Sequence, residues 1–138
     1  MMKARTSPRS LAFQMGVRVR TAVTPNDWWG VYDHSRRLIT LRPGLGPIQL
    51  DCTLMHELGH AHYGHTGVTG KQELLADRWA VHRLIDFESL LECAALEQTG
   101  PAVAASLGVL PRLLDVYLKT LTMPQLQELR SAATRRAA

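Results

Sequence analysis

Residues 48–64, Ile-Gln-Leu-Asp-Cys-Thr-Leu-Met-His-Glu-Leu-Gly-His-Ala-His-Tyr-Gly, decide how this chain is read. Leu50, Leu54, Leu58 and Ala61 recur at helical spacing, Asp51 stands near the start, and Gly64 and Gly67 mark the end. The stretch is therefore expected to be one amphipathic helix. It carries His56-Glu57-Leu58-Gly59-His60, the HExxH pattern. Histidines four apart lie about 40° apart around a helix, so both imidazoles can reach one metal ion. Glu57 stands beside that face, where a carboxylate takes a proton from water rather than ligating. Chance supplies only about 0.01 copies of the pattern in a chain of this size and composition.

Upstream, the chain changes character. Val17 to Val23 alternates apolar and polar residues, as in a half-buried strand. Pro25-Asn26-Asp27 is turn chemistry. Trp29–Tyr32 and Arg37–Leu41 are short strand-like runs joined across residues 33–36, and they are expected to form a hairpin. Downstream, a second helix is expected over 71–87. Further helical segments follow over 88–98, 102–107, 111–121 and 124–133, punctuated by Gly100-Pro101, Gly108 to Pro111 and Thr122 to Pro124. The expected fold class is α+β: a small antiparallel sheet, then a helical body. By region, residues 1–10 are expected to be a disordered basic N-terminus. Residues 11–138 form a single domain, with the sheet over 11–47, the metal-site helices over 48–87 and a helical part over 88–138.

Bulk properties narrow the functional classes. A chain of 138 residues, 46% hydrophobic and 20% charged, fits one soluble domain with its own core. Two cysteines, Cys52 and Cys93, make no disulfide framework and suit a reducing compartment. No secretory signal and no apolar stretch long enough for a membrane span is evident, so the expected location is cytoplasmic. The net charge is +4. Its basic residues at the ends (Lys3, Arg5 and Arg9; Arg130, Arg135 and Arg136) are sparse and not interleaved with aromatics. They read as solvated tails before they read as a nucleic-acid footprint.

Two histidines do not complete a catalytic zinc site, which needs a third protein ligand and an open position. The second helix offers Glu73 and Asp77, four apart on one face. One can ligate while the other holds the far ring nitrogen of a ligand histidine. His65 is the rival third ligand, but its register is one residue short of the HExxHxxGxxH pattern. His62 falls on the opposite side of the helix, as a surface or packing histidine. Cys52, one turn before His56, reads as a buried thiol.

Taken together, HELGHAHYGH and the following ELLADRWAVHRLI resemble the ImmA/IrrE family of bacterial and phage metallopeptidases. The resemblance is dense over residues 48–86. It implies that His56, His60 and Glu73 hold Zn(2+), that Glu57 is the general base, and that Asp77 orients a ligand histidine as in glutamate-zincins. One departure is the short link of twelve residues between His60 and Glu73, where many relatives carry an insertion. The resemblance also implies a protein substrate, a repressor-like regulator encoded nearby in a phage or mobile element. The carbonyl oxygen under attack needs a second electrophile besides the metal. Tyr63, His82 and His34 are the candidates, and the sequence does not choose among them.

A weaker signal follows. Ala104-Ala105-Ser106-Leu107-Gly108-Val109, with Leu114 and Tyr117, resembles a helix-turn-helix, and Arg112, Asp115 and Lys119 are a thin set for gripping phosphates. The leading expectation is a zinc-dependent endopeptidase acting on a regulatory protein. The alternative is a non-catalytic zinc-stabilised regulator that binds a protein partner or DNA through its C-terminal helices. A binding module needs the ligands but not Glu57.

Overall fold

The computed structural model describes residues 5–136. These fall into two compact units, one of residues 6–80 and one of residue 5 with residues 81–136.

The first unit begins with helix α1, Pro8–Gln14. Three of its residues lie in the stretch expected to be disordered. Pro8 supplies a preset φ at the helix start, and Pro8 and Ala12 are buried where α1 packs on the elements that follow. Gly16, at φ 70°, turns the chain into strand β1, Arg18–Thr21. A 3-10 turn at Pro25–Asp27 leads to β2, Gly30–Asp33, and β3, Leu38–Leu41. Asp33 closes the hairpin by accepting from the Ser35 hydroxyl and the Arg36 N–H.

The sheet order is β1-β3-β2. The hairpin partners β2 and β3 pair antiparallel, Tyr32 opposite Ile39, as their sequence leads one to expect. β1 pairs with β3 in parallel, Val19 opposite Ile39, so the sheet is mixed rather than antiparallel throughout. Burial explains the order. All four residues of β3 are buried, whereas β1 exposes three of its four, so β3 occupies the centre and β1 an edge.

Helix α2, Pro47–Tyr63, packs on β2 and β3. Pro47 occupies the first turn, and the Gln49 side chain accepts the Gly46 N–H at 2.8 Å. Leu54, Met55 and Leu58 are fully buried, each stabilising the unit by about 1.5–3 kcal/mol. Gly64 ends the helix in the left-handed conformation at φ 67°. The Gly64 N–H donates to Ala61 O and the His65 N–H to His60 O, the paired bonds of a Schellman stop. Helix α3 spans Gly70–Leu84, with the Thr69 hydroxyl accepting the Gln72 N–H at its start. It ends three residues before the expected Phe87, because Asp86 turns out of the helix to cap the next one through the Ser89 N–H.

In the second unit, α4 (Phe87–Leu96) packs on α5 (Gly100–Leu107) and on α7 (Met123–Arg136), and α5 packs on α6 (Pro111–Leu118). α5 and α6 cross at 99° about Gly108, which has φ 73° and a Schellman pair of hydrogen bonds to Ala105 O and Ala104 O. The angle is that of a helix-turn-helix, as the spacing suggested. Arg5 is not a solvated tail charge. Its guanidinium donates to the carbonyls of Leu84, Leu107 and Gly108, neutralising the C-terminal ends of α3 and α5. Arg9, Arg130 and Arg135 are exposed; Lys3 and the side chain of Arg136 lie outside the described residues. Among the described residues no single helix is long and apolar enough to cross a membrane.

Candidate metal centre

α2 and α3 approach very closely at one place. A Cβ on Gly59 would lie 2.8 Å from the Ala76 carbonyl oxygen and 2.9 Å from its Cα. The absent side chain lets the two backbones meet, and residues flanking the crossing then face one another: His56 and His60 from α2, Glu73 and Asp77 from α3.

Three donor groups converge there. His56 Nε2 lies 2.8 Å from Glu73 Oε2, His60 Nε2 lies 3.1 Å from Glu73 Oε1, and the two Nε2 atoms are 3.2 Å apart. A tetrahedral ion with ligand bonds of about 2.0–2.1 Å spaces its donors about 3.3 Å apart, so the two nitrogens and the carboxylate fit such an ion with small outward adjustment. The Glu57 carboxylate comes within 4.0 Å of His56 Nε2, outside this triangle. His56, Glu57 and His60 also offer a group of atoms within 4.8 Å of one another, but the shorter distances belong to Glu73.

Each histidine is held by its other ring nitrogen. His56 Nδ1 bonds Asp77 Oδ1 at 2.7 Å. His60 Nδ1 lies 2.9 Å from His65 Nδ1, a contact that sequence spacing alone did not reveal. The Schellman stop at Gly64 explains it: reversing the chain there returns His65 alongside the ring one turn earlier. His65 thus faces the nitrogen of His60 that points away from the donor triangle.

The electrostatics follow from burial and close pairing. Burial opposes a charge on the His56 ring, but hydrogen bonds to Asp77 and Glu73 and the nearby Glu57 outweigh it, raising its pKa to about 10. Burial pushes the Glu57 carboxyl up to about 7, against the pull of His56 and a hydrogen bond from the Tyr32 backbone N–H. Burial and the charge on His56 lower His60, and the hydrogen bond from His56 lowers Glu73.

A cleft of about 300 Å³ opens over Glu57, His60 and Glu73. Its walls include Trp28, Gly30, Val31 and Tyr32 from the sheet side and His65 and Val68 from the loop after α2. Two of the three residues put forward for a second electrophile, Tyr63 and His34, do not line this cleft. Tyr63 stacks on His65 with ring centroids 5.3 Å apart and is exposed. His34 stands behind Tyr32, its Nδ1 2.8 Å from the phenol oxygen. His82 belongs to the second unit, edge-on to Tyr117. Tyr32 reaches the cleft instead, and the alternation Gly30-Tyr32-His34 along β2 was the signal for it. His62 stacks on Trp79 and Cys52 is buried, both in the packing roles expected of them.

A family model, the IrrE N-terminal-like domain of peptidase family M78, matches residues 12–119. No curated protein and no solved structure matches the chain.

Proposed function

The chain belongs to the IrrE N-terminal-like metallopeptidase family, and from that premise we propose that it is a zinc-dependent endopeptidase cleaving a repressor-like regulatory protein in the cytoplasm. The observation that carries this reading is the triangle of His56 Nε2, His60 Nε2 and the Glu73 carboxylate, one oxygen near each ring, with the Glu57 carboxylate just outside it. His56, His60 and Glu73 would hold the ion, and Asp77 and His65 would orient the two rings. Zinc, when bound, supplies Lewis acidity that activates water and polarises the scissile carbonyl.

Glu57 Oε takes a proton from the attacking water as the water oxygen bonds to the carbonyl carbon. Glu57 then returns that proton to the amine nitrogen as the C–N bond breaks. Burial suits the carboxylate to taking a proton, because it raises the affinity of the Glu57 carboxyl for one. The apolar walls at Trp28, Val31 and Val68 give an extended peptide somewhere to lay its side chains.

Two expected results test the ligand set. Glu73→Ala should lose stoichiometric zinc on dialysis, measured by atomic emission, whereas His65→Ala should retain it with about 10–100-fold weaker affinity. Zinc retained by Glu73→Ala and lost by His65→Ala would reverse the assignment. Zinc uptake should also release protons. His56 is charged in the metal-free protein at pH 7 and must give up its Nε2 proton while keeping Nδ1–H on Asp77. Calorimetry in buffers of differing ionisation enthalpy should show about one proton released at pH 7, with zinc affinity falling as pH falls. A buffer-independent heat would contradict this.

The 99° crossing of α5 and α6 favours one other reading, a zinc-stabilised regulator that binds a partner or DNA without cleaving. It predicts equal partner binding by wild type and Glu57→Gln, with cleavage by neither.

A further inference from the structure

β2 is a sheet edge beside α2, and the face it turns toward the helix carries Gly30, Tyr32 and His34. The two ends of that face are located by what they touch. A Cβ on Gly30 would lie 2.7 Å from Thr53 Cγ2 and 3.3 Å from Glu57 Cγ. The ring of His34 stands beside Gly64, where an added Cβ would meet its Cε1 and Nε2 at 3.5 Å. Tyr32 lies midway, at the level of α2 between Glu57 and Gly64, and it lines the same cleft as Glu57, His60 and Glu73.

Accepting that the site is a zinc peptidase, we propose that Tyr32 is a catalytic residue: its phenol, oriented by His34, donates a hydrogen bond to the scissile carbonyl oxygen as that oxygen gathers negative charge. The Tyr32 oxygen lies 2.8 Å from His34 Nδ1, so one hydrogen bond joins the phenol to the ring and the imidazole tautomer sets its direction. A phenol has a single hydrogen. With the imidazole proton on Nδ1, His34 donates to the phenol oxygen and leaves that hydrogen free for the cleft. Burial raises the Tyr32 pKa above its usual value, so the phenol keeps its proton at neutral pH. No bond to Tyr32 is made or broken; it stabilises charge while Glu57 moves the proton. His34 is a positioning residue that works through Tyr32.

The experiment uses the full chain reconstituted with zinc and two probes. One is a peptidyl phosphoramidate, whose tetrahedral anion imitates the charged oxygen. The other is a mercaptoacyl peptide, which carries no such oxygen. Tyr32→Phe should weaken the phosphoramidate about 10²-fold, with zinc content, melting temperature and thiol affinity unchanged. His34→Ala should weaken it about 10-fold, and His34→Asn, whose amide can donate in place of Nδ1–H, should restore it. Equal phosphoramidate affinity in wild type and Tyr32→Phe, equal weakening of both probes, or no phosphoramidate binding by zinc-loaded wild type would each overturn the assignment. A wild type that takes up no zinc is a different failure, and it removes the peptidase reading itself.

Discussion

Replacing Glu57 by Gln should lower peptide-bond cleavage by about 10²–10⁴-fold while leaving one zinc per chain. Glutamine keeps the shape of the side chain and an oxygen that can still accept the Tyr32 N–H, but it cannot take a proton from water. Because Glu57 lies outside the donor triangle, the ligands are untouched. A second consequence separates a proton-transfer role from a ligand role. Burial raises the Glu57 pKa from 4.5 to about 7, so the metal-free fold binds this proton more tightly than the unfolded chain does. The stability from that proton is complete below pH 4.5 and is lost as pH rises through about 7. The Gln variant carries no charge to bury. Its unfolding free energy in the metal-free state should match wild type at pH 4 and exceed it at pH 8 by up to about 3 kcal/mol, read as a higher melting temperature. Loss of zinc in Glu57→Gln would place Glu57 among the ligands, and undiminished cleavage would end the case for it as the base.

Gly59 is where the second large effect is expected. Any side chain there meets backbone rather than a flexible tip: the Ala76 carbonyl oxygen at 2.8 Å and its Cα at 2.9 Å. Backbone in the middle of a helix gives way only if α2 and α3 separate. Alanine gains about 1 kcal/mol of helix propensity over glycine, yet the overpacking costs about 1–3 kcal/mol and outweighs it. Valine, bulkier and β-branched, should cost more. The separation also carries Glu73 and Asp77 away from His56 and His60, so zinc affinity should fall about 10–100-fold in Gly59→Ala, alongside a lower melting temperature. Thermal unfolding with and without zinc, together with competition against a chelator, reads both. A Gly59→Ala protein with wild-type stability and zinc affinity would show that the close crossing is not what assembles the site.

The parts of this site that were legible in the sequence are those set within one helix. His56 and His60 share a face because the helical repeat places them there, and Glu73 and Asp77 share a face for the same reason. The β2–β3 hairpin was legible from its two runs and the turn between them, and the α5–α6 turn from Gly108. The expectation of a wholly antiparallel sheet failed because alternation in β1 says which residues are half-buried and nothing about which strand lies alongside. Arg5 was read as a loose terminal charge because its partners are carbonyls about 80 and 100 residues away. Backbone carbonyls leave no mark in a sequence.

By itself, then, the sequence determined the helices from α2 onward, the candidate ligand residue types and their faces, since each follows from a repeat of 3.6 residues or from turn chemistry acting over a few positions. Only the tertiary structure decided which of these faces meet. It set Glu73 against both histidines, returned His65 to His60 through the reversal at Gly64, and brought Tyr32 of an edge strand to the cleft in place of Tyr63 or His34. The physical reason lies in Gly59, where a missing side chain lets the backbones of α2 and α3 meet, and in Gly30, where one leaves room for the Thr53 and Glu57 side chains against β2, so residues distant in the chain share one site.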